Sequence, residues 1–200
     1  MHPAPYYRQT DEAALLAQLS RQPFCLIAAS PRGAPMVAHA PVTVATIGGR
    51  LYLEFHLAAR NPLAALIAEG FEAVAVSLGP DAYVSPDWYG TPDQVPTWDY
   101  VSVEAQGMVS PMGSNDTVGQ LSALSAMMEA KLAPKPPWTL DKVSAPRFEA
   151  LQRGIVGGRM LVERLEGTFK LQQNRSVDER AGVMAGLGDD LIVERMRAGA

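Results

Sequence analysis

The chain has 200 residues, a net charge of −4, 48% hydrophobic and 19% charged side chains, a balance that fits one globular domain over residues 1–200 and argues against disorder. Its wholly apolar runs, such as Phe24 to Ala29, fall far short of the ~20 residues that span a bilayer. The opening MHPAPYYRQTDEA lacks a basic start followed by an apolar stretch, so a cytoplasmic protein is expected.

Residues 1–130 carry 5 basic and 12 acidic side chains, and residues 131–200 carry 12 and 9. The basic residues of the last third are interleaved with acids, as in RMLVERLEGTFK. That resembles a solvated surface more than the clustered footprint that grips a phosphate backbone, and direct nucleic-acid binding is not expected. Cys25 is the only cysteine, which excludes an intramolecular disulfide and any multi-thiolate metal site. Its place inside FCLIAA marks it as a small buried side chain.

In chain order, Thr10 followed by DEAALLAQLSRQ predicts a capped helix with Leu15, Leu16 and Leu19 at helical spacing, stopped by Pro23. FCLIAAS and MVAHAPVTVAT read as strands, and Gly48-Gly49 joins the second to RLYLEFH in a hairpin whose turn needs positive φ. With those two glycines as the loop, His56 lies opposite Pro41 and His39 opposite Ala58. The two histidines become diagonal neighbours with Cα atoms roughly 7–8 Å apart. A metal site, a polar contact to a ligand and two unrelated histidines all remain open, the first weakened by the absence of a third donor.

Asn61-Pro62 then opens LAALIAEG, which predicts a helix with proline at its first position. Arg60 and the free N–H groups of such a helix start favour a phosphate or another anion, although Arg60 also reads as a surface residue. EAVAVSLG predicts a strand. From Gly79 to Gly107 comes a stretch rich in aromatics, with Pro80, Pro86, Pro92 and Pro96 excluding a regular helix and holding Tyr83, Trp88, Tyr89 and Trp98 on a largely extended loop. These rings either meet a flat ligand or complete the core.

WDYVSVEAQGMV predicts a strand and Ser114 starts a helix through about Lys131, whose methionines fill core space. A proline-rich connection, a short helix over APRFEALQR and a long or bent strand over IVGGRMLVERLEGTFKL follow. Ser176 and Glu179 have capping-box spacing and start another helix. Several strands joined by short turns favour an antiparallel barrel over a doubly wound sheet. No phosphate-binding loop, nucleophile elbow, HExxH, CxxC or helix–turn–helix pattern occurs, and no residue stands out as acid, base or nucleophile, which leaves enzymatic activity open.

The ordered blocks HLAARNP, GPDAYVSPDWY, VPTWDYVSVEAQG, IVGG, LEGTFKLQQNRS and DERAGVMAGL resemble the PaiB-type family of FMN-binding split-barrel proteins, described as negative transcriptional regulators. The resemblance implies a mainly β fold, a six-stranded antiparallel Greek-key split barrel with peripheral helices and a C-terminal helical extension. It also implies a homodimer that holds FMN. It places His56, Arg60 and Asn61 at the FMN phosphate, and His39, Thr97, Trp98 and Asp99 beside the ring and ribityl chain. Lys170, Gln173, Asn174 and Arg175 either close the site or form a solvated strand end. The family's blocks usually carry Asn where this chain has Asp99, Ser where it has Gln172, and His near Glu104. An acid at 99 or 104 raises the cost of a nearby anion unless it is paired. A flavin-dependent reductase or oxidase, a haem-handling enzyme on the same barrel and a DNA-binding repressor are the alternative functions.

Overall fold

A computed structural model describes residues 2–198 and contains seven strands and five α-helices among them. The strand order is β1-β7-β4-β3-β2-β5-β6, with β6 pairing back onto β7. That return closes β2 to β7 into the expected six-stranded antiparallel barrel and leaves β1 as an addition to β7. No described helix is long and apolar enough to cross a membrane.

The chain divides into two compact units, each built from separated segments. One comprises residues 19–77 and 105–164. It holds β2 (Phe24–Ala29), β3 (Met36–Ile47) and β4 (Arg50–Ala58), with α2 (Ser114–Ala130) and α3 (Ala145–Gln152). The expected hairpin is present: Gly48 and Gly49 adopt φ of 58° and 77°, and Val42 faces Phe55 in the predicted register. Ile27, Val42, Leu53, Phe55, Ile67 and Met160 form its buried centre. Cys25 is buried too, and burial pushes its thiol up to about 12, which makes it inert near neutral pH. At Gly107 a Cβ would lie 1.7 Å from the carbonyl oxygen of Leu161, so β6 and β7 meet there at a separation that only glycine permits.

The other unit comprises residues 1–18, 78–104 and 165–200. It contains β1 (Arg8–Gln9), most of α1 (Glu12–Arg21), α4 (Val177–Leu187) and α5 (Leu191–Ala198). Strands β5 (Phe71–Val84), β6 (Thr97–Pro111) and β7 (Ile155–Lys170) contribute residues to both units. Leu15, Val84, Val103, Phe169, Leu171, Val183 and Ile192 fill the core of this second unit. The capping box at Ser176 and Glu179 forms as its spacing requires.

Local departures from expectation have physical causes. Asp11, rather than Thr10, caps α1, accepting from the N–H of Ala14 at 2.9 Å. LAALIAEG forms a 3-10 helix over Ala64–Glu69 with Pro62 outside it, because the Asn61 carboxamide takes the N–H of Leu63 and closes a local turn first. The segment therefore lacks the α-helical dipole expected to favour an anion. The aromatic stretch is also shorter as a loop: β5 runs on to Val84, and Pro86–Tyr89 forms a single 3-10 turn capped by Ser85. A proline at the first position of such a turn removes no needed donor.

Candidate functional site

The residues expected at a ligand fall into both units, and each group has its own chemistry. In the unit of residues 19–77 and 105–164, His39 is exposed on β3 and stacks on Phe24, with ring centroids 6.0 Å apart. His56 is half-buried on β4, and its Nδ1 lies 2.9 Å from Oε1 of Gln120 on α2. An amide oxygen only accepts, so Nδ1–H donates, and in the neutral ring Nε2 is left as an acceptor. The histidines thus have separate partners, and no group of three or more metal-binding side chains occurs among the described residues. Arg60 is exposed just beyond β4 and has no partner among the described residues. Asn61 spends its Oδ1 on Leu63 N–H, which leaves its Nδ2 hydrogens available.

The second group is a connected polar cluster between the ends of β6 and β7. Asp99 is completely buried. Its Oδ2 accepts from Nε2 of Gln172 at 2.6 Å, while its Oδ1 has no hydrogen-bond partner among the described residues and lies 3.9 Å from Nζ of Lys170. Lys170 is fixed by donating to the Thr97 hydroxyl and, at 2.7 Å, to the carbonyl of Trp98. Burial raises the Asp99 carboxyl to about 6, against the opposing effects of Gln172, Lys170 and Arg175. Burial also lowers Lys170, with Asp99 opposing. Desolvation therefore outweighs the attraction of the pair, and both groups are drawn towards their neutral forms.

Tyr89 and Tyr7 extend this cluster. The buried Tyr89 hydroxyl donates to Oε1 of Gln172 at 3.2 Å, so Gln172 links Tyr89 to Asp99. Gln172 holds this position with φ of 63°, a left-handed conformation uncommon for a side chain of its kind. Tyr7 donates to Asn174 at 2.8 Å, and Arg175 lies over the Tyr89 ring at 4.3 Å. Sequence reasoning missed Tyr7, Tyr89 as a polar partner and the bridging role of Gln172. Gln172 stands in the block LEGTFKLQQNRS, but nothing local links residue 7 or 89 to residues 172–174.

The remaining residues of the polar run mostly knit the turn after β7. Gln173 donates to the Phe169 carbonyl and accepts from Leu171 N–H. Arg175 reaches Gln94 at 2.9 Å and Glu179 at 3.6 Å. The aromatic stretch splits between both of its expected roles. Trp88 lies against α4, where a Cβ at Gly182 would come within 2.2 Å of its carbonyl oxygen and one at Gly186 within 2.4 Å of its ring, and Tyr89 is buried. Tyr83 and Trp98 stay exposed and meet edge to face, with the Trp98 indole donating to Asp81 at 2.7 Å.

FMN carries a phosphate dianion and a planar ring with one N–H donor among several acceptors. The uncommitted guanidinium of Arg60 and amide hydrogens of Asn61 suit the former, and the buried, unpartnered Oδ1 of Asp99 suits an N–H donor. Each group, taken by itself, therefore fits part of this cofactor.

Residues 1–164 match a family described as "Putative FMN-binding domain". The protease synthase and sporulation protein PAI 2 of Bacillus subtilis is similar at 25% identity over 190 residues, covering 95% of this chain and 90% of that protein. Among solved structures, an FAD and haem binding protein from Mycobacterium smegmatis superposes with a TM-score of 0.61 at 16% identity, covering 92% of this chain and 82% of that one. A flavocytochrome from Azotobacter vinelandii gives 0.58 at 10% identity, over 84% of this chain and 72% of that one. At these identities the structural likeness is one of fold.

Proposed function

This chain belongs to the FMN-binding domain family matched by its residues 1–164, and from that premise we propose that it is a PaiB-type flavoprotein acting as a negative regulator through its bound cofactor. FMN is the cofactor. The observation that carries the reading is the family match, laid on a closed six-stranded barrel.

Bound FMN supplies one- and two-electron redox chemistry. We assign its phosphate to Arg60 and Asn61, whose donors are unspent. His39, Thr97, Trp98, Asp99, Lys170, Gln173, Asn174 and Arg175 complete the proposed set; His56, which the resemblance places at the phosphate, bonds Gln120 on α2 and is left out of it. Within it, Lys170 is a positioned donor whose hydrogen bonds to Thr97 and Trp98 fix it beside Asp99. Asp99 exchanges a proton near pH 6 and so holds one at its carboxyl in mildly acidic conditions. Gln173, Asn174 and Arg175 keep the turn after β7 in place.

The absorption spectrum of freshly purified protein tests the reading. A flavin spectrum, with FMN released on denaturation, is expected. Protein that is colourless and takes up no added FMN overturns it, and a haem spectrum replaces it with the haem-handling alternative.

The regulatory part rests on the similarity to the PaiB type. The net charge of −4 favours action through a partner protein or through flavin chemistry over direct contact with DNA. Sequence-selective retardation of a promoter fragment that weakens steeply with salt overturns that route. The protein is further proposed to be a cytoplasmic homodimer, and a monomer by light scattering throughout the micromolar range overturns the dimer.

A further inference from the structure

Within the unit of residues 19–77 and 105–164 lies a cavity of about 770 Å³, bounded by α2, the connection after it, α3 and the start of β7. That volume is in the range of sites for small organic ligands. Leu121, Ala126, Trp138, Phe148 and Ile155 give it apolar and aromatic walls, and His56 also lines it.

The charges in the wall are already spent. Lys135 pairs with Glu129, and Glu129 also accepts the N–H of Trp138 at 2.7 Å. No unpaired cation is offered to a phosphate or carboxylate, and the Glu129 carboxylate opposes one. His56 is held through Nδ1 by Gln120, which leaves Nε2 of the neutral ring as an acceptor. The site therefore favours an apolar body with a single donor over an anion such as FMN.

We propose that this cavity binds an uncharged aromatic molecule bearing one hydroxyl or N–H group, which donates to Nε2 of His56. The proposal takes His56 from the set that the resemblance places at the FMN phosphate, and it uses neither Arg60 nor the Asp99 cluster, so FMN binding and filling of the cavity are read separately.

The test is calorimetric titration of FMN-saturated protein with 1-naphthol, with naphthalene and 1-naphthyl phosphate as comparisons and flavin absorbance followed throughout. 1-Naphthol is expected to bind about 3- to 10-fold more tightly than naphthalene, the effect of one net hydrogen bond, and the phosphate ester more weakly than either. His56→Phe should remove the preference for the alcohol while naphthalene still binds. Ala126→Trp, at an exposed position of α2, should fill the space and abolish both, leaving FMN bound. The proposal is overturned if 1-naphthol does not bind, if it displaces FMN, if it binds no better than naphthalene, or if Ala126→Trp binds it unchanged. A second copy of the chain covering the cavity, seen as binding that disappears when the protein associates at higher concentration, overturns it as well.

Discussion

Gln172 donates to Asp99 across 2.6 Å, so a completely buried carboxylate is met by a side chain long enough to reach it. Gln172 is tied in turn to Tyr89, so the three side chains form one buried polar network.

A double-mutant cycle reads that coupling. Gln172→Ser leaves Oδ2 of a buried carboxylate without its donor and should cost about 1–3 kcal/mol, the usual penalty for an unsatisfied buried group. Asp99→Asn in the same chain should recover much of it, giving a coupling of about 1 kcal/mol or more by urea denaturation at pH 7. Additive effects within experimental error would show that the two residues act separately.

The pH dependence of stability isolates Asp99. Its pKa rises from 3.8 to about 6 on folding, so the folded state holds the proton more tightly than the unfolded chain. The resulting stability is fully present below pH 3.8 and is lost as pH rises through about 6. Asp99→Asn lacks this loss. Relative to the parent it should gain up to about 3 kcal/mol between pH 4 and 7, from ~1.4 kcal/mol per unit, less whatever Lys170 loses with its counter-charge. Parallel stability curves across that window would remove the buried acid from the account.

Arg60 separates phosphate recognition from general damage. A charge-assisted contact worth about 1.5–3 kcal/mol predicts that Arg60→Ala binds FMN about 10- to 150-fold more weakly. Riboflavin, which has no phosphate, should bind the variant and the parent equally. Titration of both ligands into proteins with matched thermal midpoints makes the comparison, and equal FMN affinity would take Arg60 out of the site.

The seat of Trp88 on α4 predicts an asymmetry between two glycines. Gly186→Ala puts a methyl against the indole and should cost about 1–3 kcal/mol as overpacking, partly offset by the better helix propensity of alanine. In a Trp88→Leu background that cost should vanish. Gly182→Ala meets the main-chain oxygen of Trp88, which no side-chain change removes, so its cost should persist. Chemical denaturation of both glycine variants in each background decides whether the ring or the backbone sets the contact.

What the sequence made legible was whatever is encoded over short spans. The two adjacent glycines fixed the β3–β4 register, and Ser176 and Glu179 fixed the start of α4. Competition between equally local signals was harder to read: Asp11 and Thr10 both can cap, and Asn61 and Pro62 each can begin a turn. The two-residue β1 carries too little pattern to announce itself. At the site, family blocks pointed to Asp99 and Lys170, but the contacts that define their chemistry run from residue 89 to 172 and from 99 to 172. Such pairs are set by tertiary packing and leave no periodic trace in the chain.

The close approach at Gly107 bears on how two copies of this protein could associate. Because β6 returns onto β7, every strand from β2 to β7 has a neighbour on each side, and the strand left at the border, β1, is two residues long and carries the charged Arg8. β3 nonetheless pairs with β2 over residues 36–41 and with β4 over residues 42–47, so each half of it has a strand on one side only, and those are the stretches where a second copy's backbone could add to the sheet.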